Sequence, residues 1–292
     1  MSGDGPAAFE RDGFAGPFQA LEPDEMAALA PRLDELFTAE RRRTEILYAV
    51  EPDPIEERDR DIEEVWNAHL RHRLVFDLAT HPAVLAEVKR AAGPDLLLWR
   101  TTFWIKEPGA RRLEWHQDTY RRPGLGHRGI VTAWIAIDEV VPENAVHLVP
   151  GTHTAMLPRE VYHDERYEAA LHASGALPPP PIEGSAVAMS LPPGGFFIFD
   201  QHVLHGSPPN EVGSRRAALA ARFIPTGADP AEMADLCIRV AGRARPRGMR
   251  LVLPPPRSEW ASTSTLLTRL RLGRRPSARS VKARIRGPRK GP

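Results

Sequence analysis

A single cysteine, Cys237, stands among the 292 residues, which excludes an internal disulfide and any zinc site built on paired thiolates. A metal in this chain has to be held by imidazole and carboxylate. Long apolar runs are also missing: no window approaches the roughly 20 residues of a membrane-spanning helix. The opening MSGDGPAAFERDGF has neither the basic start nor the apolar stretch of an export signal, so a soluble, cytoplasmic protein with no membrane partner is expected. Acids nearly vanish from the far end. Residues 257–292 hold eleven Lys and Arg against the one acid Glu259, leaving 28 basic and 37 acidic residues before them, a body charge of −9. From Leu270 on there is no aromatic residue and little large apolar surface to drive folding. The expectation is therefore a domain over 1–256 followed by a solvated basic tail, with nucleic-acid contact by that tail as the lesser alternative.

What remains is a body of about 42% hydrophobic residues, long enough to bury one sizeable core. Met26, Leu29, Leu33 and Leu36 recur at helical spacing between Pro23 and Phe37, with acids in the first turn. Residues 51–64, EPDPIEERDRDIEE, are too charged to bury and read as a surface loop or a solvated helix start. Thr80-His81-Pro82 opens a further helix, with threonine as the cap and proline in its first turn, and Gly93-Pro94 stops it. From Leu96 the texture changes to short runs between Pro/Gly punctuation: LLLWRTTFWI, GIVTAWIAI, VHLVP, AVAMSL, GFFIFD and AALAARFI. Many short strands with turn signals between them predict an antiparallel sandwich or barrel. The architecture is thus mainly β over about 96–225, flanked by N-terminal helices over about 23–92. Residues 161–181, ending in four prolines, form an excursion suited to a lid or a spacer.

The chemistry starts at EWHQDTY, 114–120. In extended backbone, residues i and i+2 project to the same side, so the His116 imidazole and the Asp118 carboxylate enter one space. A second imidazole is available from His205, which follows the strand GFFIFD and a turn. Two neutral imidazoles and one carboxylate form a facial set that suits Fe(II) and leaves three positions open, whereas zinc hydrolysis needs only one. His202 competes with His205 for this assignment but falls within the turn.

The span HGSPPNEVGSRRAALAARFIP resembles the C-terminal signature of the phytanoyl-CoA dioxygenase family, with His205, Gly206, Ser207, Asn210 and Arg216 in matching order. FERDGF at 9–14, THPAVLAEVKRAAGPD at 80–95, WHQD at 115–118 and ENAVHLVPGTH at 143–153 are similar to further landmarks of that family. The likeness covers roughly 9–225. It implies a double-stranded β-helix, a jelly-roll or cupin-like core, using Fe(II) and 2-oxoglutarate. His116, Asp118 and His205 would hold the iron, Arg216 would grip the distal carboxylate of the co-substrate, and Ser207 would add a hydroxyl. Trp134 matches a pocket-lining tryptophan and is otherwise a core aromatic.

The strand WRTTFWIKEPG and its successors look most like the non-haem iron chlorinase branch, in which a small residue replaces the carboxylate ligand and chloride takes the vacated position. Asp118 stands there in this chain, so hydroxylation is implied, with 2-oxoglutarate converted to succinate and CO2. The substrate class implied is a small or carrier-bound biosynthetic intermediate attacked at an unactivated C–H bond. Halogenation, desaturation and cyclisation are the alternative outcomes, and a non-catalytic β-barrel binding module is the second alternative. Asn144-Ala145 replaces the usual Asn-Gly, and Pro193-Gly194-Gly195 the usual Pro-Gly-Asp. Arg100, Thr102, Trp104 and Lys106 alternate onto one face, either lining the pocket or covering the exterior. Arg222 shares the parity of Arg216 and either reaches substrate or forms an exterior ion pair. Arg215 points the other way and reads as a solvated charge. Specificity is expected in loops 119–128 and 154–190.

Overall fold

The computed structural model describes residues 5–47, 62–118, 129–158, 185–225, 236–243 and 250–257. Most of the basic tail, the 119–128 loop, residues 159–184 and residues 51–61 lie outside them.

The long apolar run at 96–106 becomes the 11-residue strand β3 (Leu96–Lys106), and the alanine-rich run becomes β10 (Arg216–Pro225). These two pair antiparallel along their whole length, from Arg216 opposite Lys106 to Pro225 opposite Leu96. β5 (Val131–Ala136) lies on the other side of β10, followed by β8 (Gly195–Asp200) and β1 (Phe14–Gln19). The free edge of β3 is shared, because β2 (Ile62–Trp66) covers its residues 102–106 while β11 (Leu236–Ala241) covers 96–98. β12 (Arg250–Leu251) adds a short parallel pairing to β11. A second antiparallel sheet consists of β4 (Leu113–His116), β9 (His205–Ser207), β6 (Val146–Leu148) and β7 (Val187–Met189) in that order. Two sheets stacked face to face in this way form a double-stranded β-helix.

Alternation along each strand separates two cores. Val131, Ala133 and Ile135 of β5, with Leu219, Ala221 and Phe223 of β10, face α2 (Pro23–Leu47), α3 (Arg73–Ala79) and α4 (Pro82–Ala92) and join Met26, Leu33, Val84 and Val88. Trp134, Ala136, Ala218 and Ala220 face the second sheet and meet Val146, Leu148, Phe197 and Phe199. The two alanines matter for function: small side chains at the centre of β10 leave room between the sheets instead of filling it.

Several expectations are corrected. Residues 62–66 form an edge strand with Ile62 and Val65 buried, not a solvated segment, because charged Glu63 and Glu64 are carried along by two apolar anchors. Thr80 closes α3 by bonding the Phe76 carbonyl, and the cap of α4 is His81, whose ring accepts from the Ala83 amide. Proline occupies the first turn of α4 and Gly93, at φ 90°, ends it, as the sequence predicts. The helix that begins at Pro23 continues to Leu47, and α1 (Gly5–Asp12) precedes it. Among the described residues no helix is long and apolar enough to cross a membrane.

Candidate active site

His116 ends β4, and His205 opens β9 directly opposite it in the antiparallel register. Asp118 follows two residues later, its amide bonded to the Gln201 carbonyl. Gln117 points the other way and is buried, donating to the carbonyls of Thr152 and Ala155 at 3.4 and 3.0 Å and also to that of His202. Its own carbonyl oxygen accepts from the Leu157 amide. Within EWHQDTY, one side chain thus anchors the segment so that its two neighbours project together.

Three donor atoms of His116, Asp118 and His205 lie within 4.8 Å of one another, the one such group of metal-ligating side chains among the described residues. Each imidazole presents Nε2, because Nδ1 is engaged by a backbone carbonyl, that of Glu114 at 2.7 Å for His116 and that of Val203 at 2.9 Å for His205. Both Nε2 atoms are 3.9 Å from Asp118 Oδ1. Burial pushes the His116 imidazolium down to about 3, with His205 adding to the effect, and burial lowers His205 as well. Burial works the other way on Asp118, but Arg222 and the two imidazoles outweigh it and hold the carboxyl well below the usual carboxylate range. At neutral pH the set is two neutral nitrogen donors and one carboxylate, which suits Fe(II). The residues fit the metal.

These side chains open on a cleft between the sheets. Arg216, 2% exposed, lies in its wall and donates through Nη1 to the Asn144 carbonyl at 2.9 Å. Its Nε has no partner among the described residues, and its guanidinium sits 5.5 Å from the centre of the Trp134 ring. Burial alone pushes it down to about 10, still well above neutrality. An uncompensated buried guanidinium is costly unless a ligand carboxylate completes it. Lys106, paired with Arg216 across the strands, is wholly buried and donates to Ser207 Oγ and the Pro208 carbonyl, both at 2.8 Å. Ser207 itself faces the cleft.

This end is built by two asparagine amides. Asn144 Oδ1 accepts from the Val141 amide, and Asn144 Nδ2 donates to Asn210 Oδ1 at 3.3 Å. Asn210 Nδ2 donates to the carbonyls of Lys106 and Ser214, each at 2.9 Å.

The face carrying Thr102, Trp104 and Lys106 points inward. Trp104 lines the cleft, while Thr102 Oγ1 accepts from Arg222 Nη1 at 3.2 Å. Arg222 also lines the cleft and pairs with Asp118, so it is not an exterior ion pair. Arg100 is half-buried and stacks its guanidinium 4.3 Å from the centre of the Trp99 ring, outside the cleft lining. Arg215 is not a free solvated charge, since it bonds both oxygens of Asp138 at 2.8 and 3.1 Å and reaches Asp34. His202 is buried near Asp200 and outside the three-donor group. Four cleft residues were not singled out from sequence: Leu113, Val146, Phe199 and Ala220. Phe199 had a signal, its alternation with Phe197 in GFFIFD.

Comparison with known proteins agrees with this geometry. Ectoine dioxygenase of Streptomyces coelicolor is 25% identical over 155 residues, 51% of this chain, and the match spans only 50% of that relative's length. Among solved structures, CytC3 with Fe(II) and alpha-ketoglutarate superposes with a TM-score of 0.56 at 23% identity, covering 84% of this chain and 90% of CytC3. The carbocyclase SnoK from nogalamycin biosynthesis, described as non-heme and alpha-ketoglutarate dependent, has a TM-score of 0.56 at 19% identity, covering 77% of this chain and 85% of SnoK. The family model for phytanoyl-CoA dioxygenase (PhyH) matches residues 9–218, a span that includes all three donors and Arg216, and the chain belongs to that family.

Proposed function

We propose that this chain is an Fe(II)/2-oxoglutarate oxygenase that hydroxylates an unactivated C–H bond of a small biosynthetic intermediate, free or carrier-bound. One observation carries the reading: a two-imidazole, one-carboxylate donor set shares a cleft with a buried guanidinium that has no anionic partner among the described residues. His116, Asp118 and His205 are the proposed iron ligands, and Arg216 with Ser207 the proposed seat of the distal co-substrate carboxylate. When bound, Fe(II) and 2-oxoglutarate supply, from dioxygen, an oxidant strong enough for such a bond, with succinate and CO2 as co-products.

The protein's part is placement. The Glu114 and Val203 carbonyls hold both Nδ1–H groups, so both Nε2 lone pairs face the same point. Trp134 lies under Arg216, and Phe199, Val146 and Leu113 give the cleft apolar walls that limit water around the reacting groups. Asp118 fills the carboxylate position, which favours oxygen transfer over halogenation. Desaturation and cyclisation stay as product-level alternatives, and a carbocyclase shares the fold. The catalytic unit is proposed to end by residue 256, with 257–292 a dispensable extension.

Two measurements test this. Purified protein should release succinate from 2-oxoglutarate only with Fe(II), and products should gain the mass of one oxygen in high chloride. A halogenated product, or no iron-dependent succinate with any substrate screened, removes the hydroxylase reading, and the second result leaves a binding module. His205→Ala should abolish Fe(II) binding while His202→Ala leaves it within a few fold; equal affinity in wild type and His205→Ala removes the ligand assignment.

A further inference from the structure

Asp118 is held from behind. Arg222 Nε lies 3.4 Å from Oδ2 and Nη2 3.3 Å from Oδ1, so one guanidinium spans both carboxylate oxygens. Both side chains are largely buried, 13% and 12% exposed. The third nitrogen, Nη1, donates to Oγ1 of Thr102, which is wholly buried on β3 next to β10. Arg222 itself is fixed in the middle of the main sheet, paired with Arg100 on one side and Thr132 on the other. Oδ1 lies 3.9 Å from each Nε2, and the hydrogen bond to Oδ2 comes from Arg222 alone among the described residues.

We propose that Arg222, braced by Thr102, is a positioning residue that turns Asp118 into a one-oxygen metal ligand. Together the two side chains form a carboxylate socket that belongs to the sheet rather than to the loop carrying Asp118. The physical argument is directional. A carboxylate offers four lone-pair directions, and a guanidinium across both oxygens takes the two that point away from the imidazoles. Chelation by both oxygens would require Oδ2 to leave Arg222 Nε and strand a buried cation, which is disfavoured in a water-poor site. The socket's geometry is set by strand pairing, so it should persist when the Asp118 side chain is gone and accept another small carboxylate. This inference rests on the reading of His116, Asp118 and His205 as a metal centre.

The test uses Co(II), whose visible absorption reports its ligands, and formate as a detached carboxylate. Wild type, Asp118→Gly and Asp118→Gly/Arg222→Leu are titrated with Co(II), with and without formate, alongside circular dichroism and melting. Asp118→Gly alone should bind Co(II) at least tenfold more weakly. Formate should recover most of that loss and return the absorption toward the wild-type spectrum. In the double variant formate should do neither.

Equal recovery in both variants would mean that the anion seeks only the metal, and recovery in neither would mean that no socket exists; each result overturns the proposal. If the double variant does not melt cooperatively, Asp118→Gly/Arg222→Lys replaces it. Loss of the fork must then weaken recovery about tenfold, and undiminished recovery overturns the proposal. Failure of the metal-centre reading is separately visible, as wild type and His205→Ala would then bind Co(II) alike, and the socket falls with it.

Discussion

Arg216 and Arg222 occupy the same face of one strand, six residues apart, and both line the same cleft. Their surroundings differ in one respect. Arg222 has a carboxylate, Asp118, across from it. Arg216 has, among the described residues, a backbone carbonyl, an aromatic face and, as its cross-strand partner, another basic side chain, Lys106. The same side chain is therefore internally compensated at one end of the cleft and left for a ligand to compensate at the other. Burial of a guanidinium does not by itself mark a binding site; burial without an anion does.

The largest way to break this contrast is to remove the uncompensated end. Arg216→Ala should lower 2-oxoglutarate affinity by about a hundredfold or more while leaving Co(II) affinity within a few fold. Arg216→Lys keeps the charge but loses the fork, at about 1.5–3 kcal/mol, or roughly ten- to a hundredfold. Titration of the metal-loaded protein with co-substrate reads both, and unchanged affinity in the two variants would show that Arg216 is structural.

A medium effect concerns Lys106. Burial, reinforced by Arg216 and Arg111, pushes its ammonium from 10.5 down to about 6. Between those values the unfolded chain binds a proton that the native lysine does not, so without ligand this group makes stability rise with pH from about 6 toward 10.5. The cost of burying it is greatest below that window. Lys106→Met should remove this contribution and gain most on wild type at the acidic end. Melting temperatures of both proteins across that range provide the check, and parallel curves would refute it.

The smallest effect belongs to Arg215, whose partners Asp138 and Asp34 are near the surface. Arg215→Ala should cost about 1 kcal/mol or less, as exposed pairs do, and leave metal and co-substrate binding unchanged. Loss of either binding in this variant would show that the contrast along β10 extends to its outer face.

Legibility from sequence followed the strength of local signals. The runs at 96–105, 129–137 and 195–200 were readable as strands because Pro and Gly punctuate them and apolar residues fill them. Ile62–Trp66 was not, since three of the five residues in IEEVW are acidic or, in the case of Trp66, exposed, and only pairing to β3 orders them. Thr80 carries the side chain of a good helix cap, yet the preceding helix claims it and leaves that role to His81. Local propensity cannot decide between two adjacent helices competing for one hydroxyl.

By itself the sequence determined the donor chemistry. One cysteine excludes thiolate ligation, and the i, i+2 spacing of His116 and Asp118 puts both on one side of an extended segment. The order His-x-Asp, His, Arg matches a family whose landmarks span most of the chain. Tertiary structure alone decided which side that is. Alternation sets the parity of Arg100, Thr102, Trp104 and Lys106 but not whether that parity faces the cleft or the helices, because both faces of the main sheet are buried. Only the register of β3, β10 and β5 places Thr102 behind Arg222, Arg222 behind Asp118, and Lys106 beside Arg216. Compensation of a charge depends on atoms brought together from strands more than a hundred residues apart, and no local pattern encodes that distance.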